Sequence, residues 1–389
     1  MNRQALSPKF FIYALSFSLC HGVPGIIPLL PTFQQEFHLN SYEVSNCLAY
    51  FSYSALLGTP FAGYFYNKLP KRFFIYFINF LYIAGIIGAA LSPTYAVLLC
   101  FRIIQGLGSS ALNLLVYVLP SEYYSGLDRA KIMGRSIGAI ALGLFIMPLG
   151  SGYLALFSWR YSLFFLSIPT LFTLLILVYT DLTTKFSHSY TPFTIKQVKE
   201  VFSTPFIPVL FLTLSVYGGL DLSVPSLFSL FTAEVHHYTS STIGIIYSFS
   251  NFGMFIGSAY LLARLLQTKH FPRILFCCAL CIAGLLIIFT KLSMPFFFLT
   301  FLGYFCLAGI LNPFINYSIS TCLSPALLTI GLTVSATLFR AGQGFGTAFF
   351  AFISNTTGYE ITFILMGSIY FILALLLIPF IKKQQKKSS

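Results

Sequence analysis

The sequence predicts an all-α membrane protein with twelve transmembrane helices in two pseudo-symmetric six-helix bundles. Three observations lead to this fold class: the composition, the length of the apolar runs and the similarity between the two halves. Of 389 residues, 57% are hydrophobic and only 8% are charged, whereas soluble domains contain about 25% charged residues. Little of the chain is therefore suited to contact with water.

The apolar residues fall into twelve runs, most of them about 20 residues long, the length that crosses a hydrocarbon layer about 30 Å thick. In chain order, the predicted spans are Phe10–Phe33, Tyr42–Phe65, Phe73–Leu91, Ala96–Pro120, Ile132–Leu156, Tyr161–Tyr179, Phe206–Phe231, Ser241–Leu265, Ile274–Phe289, Pro295–Ser318, Leu327–Ile353 and Ile361–Ile381. Lipid offers no hydrogen bonds to a bare backbone, so a span must be a helix or a strand of a closed barrel. Barrel strands alternate apolar and polar residues, and these runs do not, so each is predicted to be helical.

One long polar connection divides the twelve spans into two sets of six. The end of span 1 resembles the end of span 7, and aligning Glu36 with Glu234 gives an offset of 198 residues, about half the chain. Weak similarity between halves is typical of transporters built from repeated bundles. We therefore expect an N-terminal bundle over residues 1–180, a cytoplasmic linker over 181–205, and a C-terminal bundle with a basic tail over 206–389.

The net charge of +13 reflects membrane topology and does not indicate a nucleic-acid partner. With the N-terminus inside, 18 of the 22 basic residues fall in inside loops or tails, as expected from the positive-inside rule. Both termini are then predicted to be cytoplasmic, with the chain in the plasma membrane, the inner membrane of a cell. We expect a monomer surrounded by lipid.

Several other function classes lack support in the sequence. Seven of the eight cysteines lie in predicted spans, and no histidine, cysteine or carboxylate cluster has metal-ligand spacing, so no metal or cofactor is expected. A membrane enzyme would need such a cluster, and ATP-driven pumping would need a G-x-x-x-x-G-K-[ST] loop, which does not occur. A receptor is disfavoured because no soluble signalling domain is appended. The chain is predicted not to be an enzyme.

Three charged residues lie well inside predicted spans, away from the span ends: Arg102, Asp221 and Arg340. Each costs about 2.5–3.5 kcal/mol at a helix centre, so such residues usually face a partner or a polar path. Gln105 follows Arg102 by three positions and Gln343 follows Arg340 by the same spacing, so each pair shares a helix face. These pairs are candidate cavity residues. For each arginine the alternative is a structural tie, that is, a side chain that only holds helices together. For Arg102 this tie would consist of hydrogen bonds to the backbone carbonyls of a broken helix.

Asp221, preceded one turn earlier by Tyr217, is the only carboxylate well inside a span. The proton affinity of a carboxylate depends on its burial and on nearby arginines, so Asp221 is the leading candidate for proton coupling. His21, near the middle of span 1, is the second candidate, with an intrinsic pKa near 6.5. The alternative for His21 is a histidine that only satisfies hydrogen bonds.

Four local patterns occur in the predicted spans of the first half. Span 4 contains Arg102-Ile-Ile-Gln-Gly-Leu-Gly, which has the form R-x-x-Q-G-x-G, Pro28-Leu-Leu-Pro ends span 1, span 5 carries spaced glycines around a proline, and Ser158-Trp-Arg-Tyr opens span 6. Together they resemble the motifs of the major facilitator superfamily, and within it most closely those of the twelve-span drug/proton antiporter branch. We assign helix packing to the small residues of these motifs, which are Gly106, Gly108, Gly138, Gly143, Pro148 and Gly152.

The resemblance also implies a cytoplasmic gate. Its loop motif runs from Gly63 to Arg72 and includes Lys68, but Asn67 stands where the family usually has an acidic residue. The motif in span 5 also departs from the family pattern, because Met147 stands where the family has a glycine before the proline that corresponds to Pro148. Glu122 and Arg129 resemble an E-x6-R gate pattern, and Arg129, Lys68 and Arg72 are candidates to pair with Glu122 or Asp128. The alternative is that these bases only follow the positive-inside rule.

Together these features predict a secondary active transporter that moves a small organic molecule by alternating access, through proton-coupled efflux of a drug or metabolite. The direction is implied by the resemblance alone. The alternative is a proton-coupled importer of a small organic anion or metabolite. The three interior charges sum to +1, which favours a cargo with a carboxylate or phosphate.

Overall fold

A computed structural model describes residues 6–19, 22–180, 182, 195–266, 268, 271–292 and 294–388. Within these ranges the regular structure is helical, and one isolated β-bridge joins Leu6 to Thr180. The predicted fold class is therefore confirmed.

The first six predicted spans correspond to seven α-helices. These are α1 (Pro8–Ser18), α2 (Leu30–Glu36), α3 (Ser41–Lys68), α4 (Lys71–Ala90), α5 (Tyr95–Tyr123), α6 (Gly126–Leu154) and α7 (Trp159–Tyr179). Local capping explains where two of them begin. Asn40 and Glu43 each accept a hydrogen bond from the backbone N–H of the other, at 2.8 and 2.9 Å, which is a capping box at the start of α3. The Thr94 hydroxyl oxygen accepts the Val97 N–H at the start of α5.

The rest of the chain forms eight further α-helices. These are α8 (Ile195–Ser203), α9 (Ile207–His236), α10 (Ser240–Ile256), α11 (Leu262–Leu266), α12 (Phe271–Ile287), α13 (Met294–Cys322), α14 (Pro325–Thr357) and α15 (Tyr359–Ser388). A π-helical segment, Gly257–Leu261, joins α10 to α11 within predicted span 8. Gly358, at φ 88°, ends α14 in a backbone conformation that favours glycine.

Span 1 is interrupted, although the apolar pattern predicted one helix. The helix α1 ends at Ser18 and α2 begins only at Leu30. Pro24, Gly25 and Pro28 lie between them, and both residue types weaken a helix, proline by removing an N–H donor and glycine by its flexibility. An interrupted helix leaves backbone carbonyls that need donors from elsewhere in the protein.

Six of the described helices have both the length and the hydropathy of a membrane span. They are Lys71–Ala90, Tyr95–Tyr123, Gly126–Leu154, Trp159–Tyr179, Ile207–His236 and Pro295–Cys322. The helices α3 and α14 are as long, with 28 and 33 residues, but their many Ser, Thr, Gly and Tyr residues lower the mean hydropathy. Two shorter apolar helices cover Phe276–Ile287 and Tyr359–Leu373.

The chain forms two compact units. The first comprises Met1–Leu39, Asn46–Pro192 and His237–Ser248, and the second comprises Asn40–Ser45, Phe193–His236 and Phe249–Ser389. Each unit therefore contains one short segment from the other half of the sequence. The predicted bundle boundaries at residues 180 and 206 remain predictions, because most of the connection between them lies outside the described residues.

Candidate substrate and proton site

Asp221 lies at the middle of α9 and accepts hydrogen bonds through both carboxylate oxygens. The Tyr217 hydroxyl lies 3.4 Å from Oδ1, and Nε2 of Gln343 on α14 lies 3.2 Å from Oδ2. The Tyr217 hydroxyl is also 3.3 Å from the Ala308 carbonyl oxygen on α13, so its single proton has two acceptors. Asp221 and Gln343 are partly exposed, whereas Tyr217 is buried. Three predicted site residues thus share one network at the middle of the second unit.

Glycines bring α9 and α14 close enough for this network to form. A Cβ atom at Gly342 would overlap the backbone of Ser215, and one at Gly346 would overlap the backbone of Gly219. A Cβ at Gly218 would likewise overlap the Phe339 carbonyl oxygen. Small residues at such positions let helix backbones approach closely inside a membrane. The flat glycine faces therefore set the distance between Asp221 and Gln343.

Arg340 lies one turn before Gln343 on α14, and its side chain is partly exposed. It lies next to Phe339, whose ring stacks on Tyr217 with centroids 6.0 Å apart and an interplanar angle of 24°. Arg340 thus lies on α14 within one turn of the Asp221 network. The two roles open from the sequence, cavity cation and interhelical tie, both remain predictions.

Arg102, in the first unit, is only 1% exposed and its guanidinium is held by other parts of the chain. Nη2 donates to the Gly22 carbonyl at 2.7 Å and Nε donates to the Cys47 carbonyl at 3.2 Å, while Nη1 donates to Oε1 of Gln105. The guanidinium carbon lies 4.5 Å from the centroid of the Phe51 ring. These contacts favour the structural tie over the cavity role. Removing Arg102 from the accessible charges reduces their sum from +1 to zero, so the preference for an anionic cargo loses its basis.

The other candidate in the first unit, His21, lies outside the described residues. Two of the predicted packing glycines make close contacts. A Cβ at Gly106 would overlap the Phe51 carbonyl oxygen of α3, and one at Gly108 would lie 2.8 Å from the backbone nitrogen of Tyr82 on α4. Both positions therefore require glycine for helix packing.

The glycine motif of α6 packs at only part of its length. A Cβ at Gly152 would lie 3.1 Å from the Cα of Gly244 on α10, and a Cβ at Gly244 would lie 2.6 Å from the Pro148 carbonyl oxygen. Gly143 is buried. Gly138 does not share this role, because it is exposed and a Cβ there would meet no described atom within 4 Å.

The predicted cytoplasmic gate contains one partly buried ion pair whose base the sequence reasoning missed. Glu122, 3% exposed, pairs with Lys71 at 2.5 Å between Oε2 and Nζ. Lys71 Nζ also lies 4.9 Å from the centroid of the Tyr66 ring. Lys71 begins α4 and directly precedes Arg72 in the same loop motif. The run of basic residues in this motif was therefore the sequence signal that could have identified Lys71 as the partner of Glu122.

The bases expected to pair with Glu122 have other surroundings. Arg72 donates to the Val178 carbonyl at 3.2 Å, Lys68 lies 5.4 Å from the centroid of the Tyr64 ring, and Arg129 is exposed. Gly63 is buried within α3, which also contains Asn67. Among the described residues, Lys71 is therefore the base that the structure brings to Glu122.

Comparisons with known proteins agree with this architecture. A family model described as Major Facilitator Superfamily matches residues 10–327. Quinolone resistance protein NorA of Staphylococcus aureus is 26% identical over 251 residues, which are 63% of this chain and 62% of NorA. The chain thus matches less than two thirds of the length of that relative.

Two further proteins extend the comparison. Multidrug resistance protein 2 of Bacillus subtilis is 24% identical over 293 residues, which are 73% of each chain. A crystal structure of the peptide transporter POT in complex with sulfate has a TM-score of 0.79 at 13% identity, covering 97% of this chain and 95% of that one. At that identity the likeness concerns the fold alone.

Proposed function

Because the chain belongs to the Major Facilitator Superfamily of membrane transporters, we propose that it is a proton-coupled exporter of small organic molecules. Export is supported by relatives described as quinolone and multidrug resistance proteins. The proposed location is the cell membrane with both termini in the cytoplasm, which follows from the distribution of basic residues. Transport would proceed by alternating access.

The observation that carries the proposal is the environment of Asp221. A carboxylate at the middle of a 30-residue membrane helix is costly, so its presence calls for a function that uses it. Tyr217 and Gln343 donate to its two oxygens, and the side chain keeps partial exposure. A group that is hydrogen-bonded yet still accessible is suited to gaining and losing a proton.

This arrangement couples cargo to protons through competition for one carboxylate. The ionised form of Asp221 accepts both hydrogen bonds and attracts a cationic group of the cargo. Protonation removes the charge and weakens that attraction. Proton uptake and cargo release are then linked, as an antiport cycle requires. The same carboxylate held permanently in one protonation state would leave transport uncoupled.

The test is transport by purified protein in proteoliposomes with an imposed pH gradient and a panel of quinolones and aromatic cations. We expect Asp221→Asn to abolish gradient-driven accumulation while still exchanging cargo down its own concentration gradient. Asp128→Asn is the matched control, because Asp128 is an exposed carboxylate in the first turn of α6. Full gradient-driven accumulation by Asp221→Asn would contradict the proposal.

Membrane vesicles of known orientation distinguish export from the alternative, proton-coupled import. Inside-out vesicles should accumulate cargo when their lumen is acidic if the protein exports by antiport. A symporter would instead accumulate cargo together with protons that enter from an acidic medium. Proton movement followed with a pH-sensitive dye therefore assigns the direction.

A further inference from the structure

Two asparagines lie on one face of α13 in the second unit. Nδ2 of Asn316 donates to Oδ1 of Asn312 at 2.8 Å, and the Ser335 hydroxyl of α14 lies 3.1 Å from Oδ1 of Asn316. Both asparagines are partly exposed, whereas Ser335 is buried. We call Asn312, Asn316 and Ser335 the amide cluster.

A role in joining α13 to α14 explains only part of the amide cluster. The bond between Ser335 and Asn316 joins α14 to α13, and such bonds contribute about 0.6 kcal/mol on average inside a membrane. Asn312 takes no part in that bond, and its amide N–H groups donate to none of the described residues. An amide with free donors inside a membrane helix is costly unless it meets water or a ligand.

The amide cluster lies on the same helix faces as the Asp221 network. Asn312 is one turn after Ala308, whose carbonyl accepts from Tyr217, and Ser335 is one turn before Phe339, which stacks on Tyr217. Ser335 and Gln343 are eight residues apart on α14, which is about 12 Å at 1.5 Å per residue. A continuous face thus runs from a carboxylate, past stacked aromatic rings, to free amide donors.

We propose that this face binds an elongated aromatic cation that also carries a hydrogen-bond acceptor. Resting on the proposed function, the inference assigns the basic amine to Asp221, the ring system to Phe339, and a carbonyl or carboxylate to the N–H groups of Asn312. The expected length of the ligand is about the 12 Å of α14 between Ser335, which contacts Asn316, and Gln343, which contacts Asp221. Asn312 is thereby a specificity-determining residue, because an aromatic cation without an acceptor gains nothing from it.

The test compares two aromatic cations, one with a hydrogen-bond acceptor and one without. Norfloxacin is a quinolone with a basic amine and a carboxylate at opposite ends of its ring system, and tetraphenylphosphonium is an aromatic cation without hydrogen-bonding groups. Their dissociation constants are measured on the full-length protein in lipid nanodiscs. Asn312→Leu should weaken norfloxacin binding at least about tenfold, as expected for a lost hydrogen bond to a charged group. The dissociation constant of tetraphenylphosphonium should change less than about twofold, because this probe forms no hydrogen bond with Asn312 that the substitution could remove.

Ser335→Ala is the matched control, because it removes the tie between α13 and α14 and leaves the Asn312 donors in place. It should not discriminate between the probes. Equal weakening of both probes by Asn312→Leu, unchanged norfloxacin binding, or no binding of either probe to the wild type would each overturn the inference. Failure of the proposed function has a different signature, namely normal binding and discrimination without gradient-driven transport in proteoliposomes.

Discussion

Replacing Arg102 by alanine should destabilise the first unit. The guanidinium donates to the Gly22 and Cys47 carbonyls and lies against the Phe51 ring. Alanine leaves those two carbonyls without their donor in a buried site. A cavity residue would give a different result, because its loss would change transport and leave folding intact.

The structure sets the expected size of the effect. Interhelical hydrogen bonds in membranes contribute about 0.6 kcal/mol on average and up to about 1.7 kcal/mol, so the two carbonyl contacts supply about 1–3.5 kcal/mol. A cation–π contact with Phe51 adds about 0.5–2 kcal/mol. We therefore expect Arg102→Ala to lose about 1.5–5.5 kcal/mol of stability. Arg102→Lys should recover only part, since an ammonium cannot reproduce the guanidinium fork.

The assay is the thermal melt of detergent-solubilised protein, followed by fluorescence-detected size-exclusion chromatography. Arg135→Ala is the matched control, because Arg135 is an exposed arginine near the start of α6. Arg102→Ala should melt well below both the control and the wild type. If Arg102→Ala and Arg135→Ala melted together while only the former lost transport, the structural account of Arg102 would be refuted and the cavity role restored.

Two further substitutions test the packing and the gate. Gly342→Ala should reduce the amount of folded protein, because the added methyl overlaps the backbone of α9, whereas Gly138→Ala, which meets no described atom, should fold normally in the same melt. Glu122→Gln should cost about 1.5–3 kcal/mol in that assay by breaking an ion pair whose carboxylate is buried. Combining it with Lys71→Met should restore part of the loss, and Asp128→Asn, which affects an exposed pair at 3.9 Å, should change stability by less than about 1 kcal/mol.

The sequence predicts the helices well because lipid leaves few alternatives for a long apolar run. Most predicted span ends fall within a few residues of the helix ends, as for Tyr95–Tyr123 against the predicted Ala96–Pro120. Span 1 is the exception, and its prolines and glycines were the visible signal for the interruption. Apolar periodicity reports burial, so it cannot show where a backbone stops forming its own hydrogen bonds.

The site was only partly predictable, because a charge in a span shows that a partner exists without showing which one. Asp221, Tyr217 and Gln343 were all identified from the sequence, and the structure brings them together. Arg102 was identified too, but its partners are backbone carbonyls, which have no sequence signature. The amide cluster was overlooked because asparagine carries no charge, although the spacing of Asn312 and Asn316 places them on one face.

The packing of α9 against α14 restricts how Asp221 can change its proton affinity. Both helices belong to the second unit, and their backbones approach closely at Gly219 and Gly346. We expect this close packing to keep Gln343 within hydrogen-bonding distance of Asp221. In the proposed antiport cycle, the change in proton affinity would then come from what reaches the exposed part of the carboxylate, water in one state and the cargo in another. A cation bound there favours the ionised form, and water admitted after its departure supplies the proton.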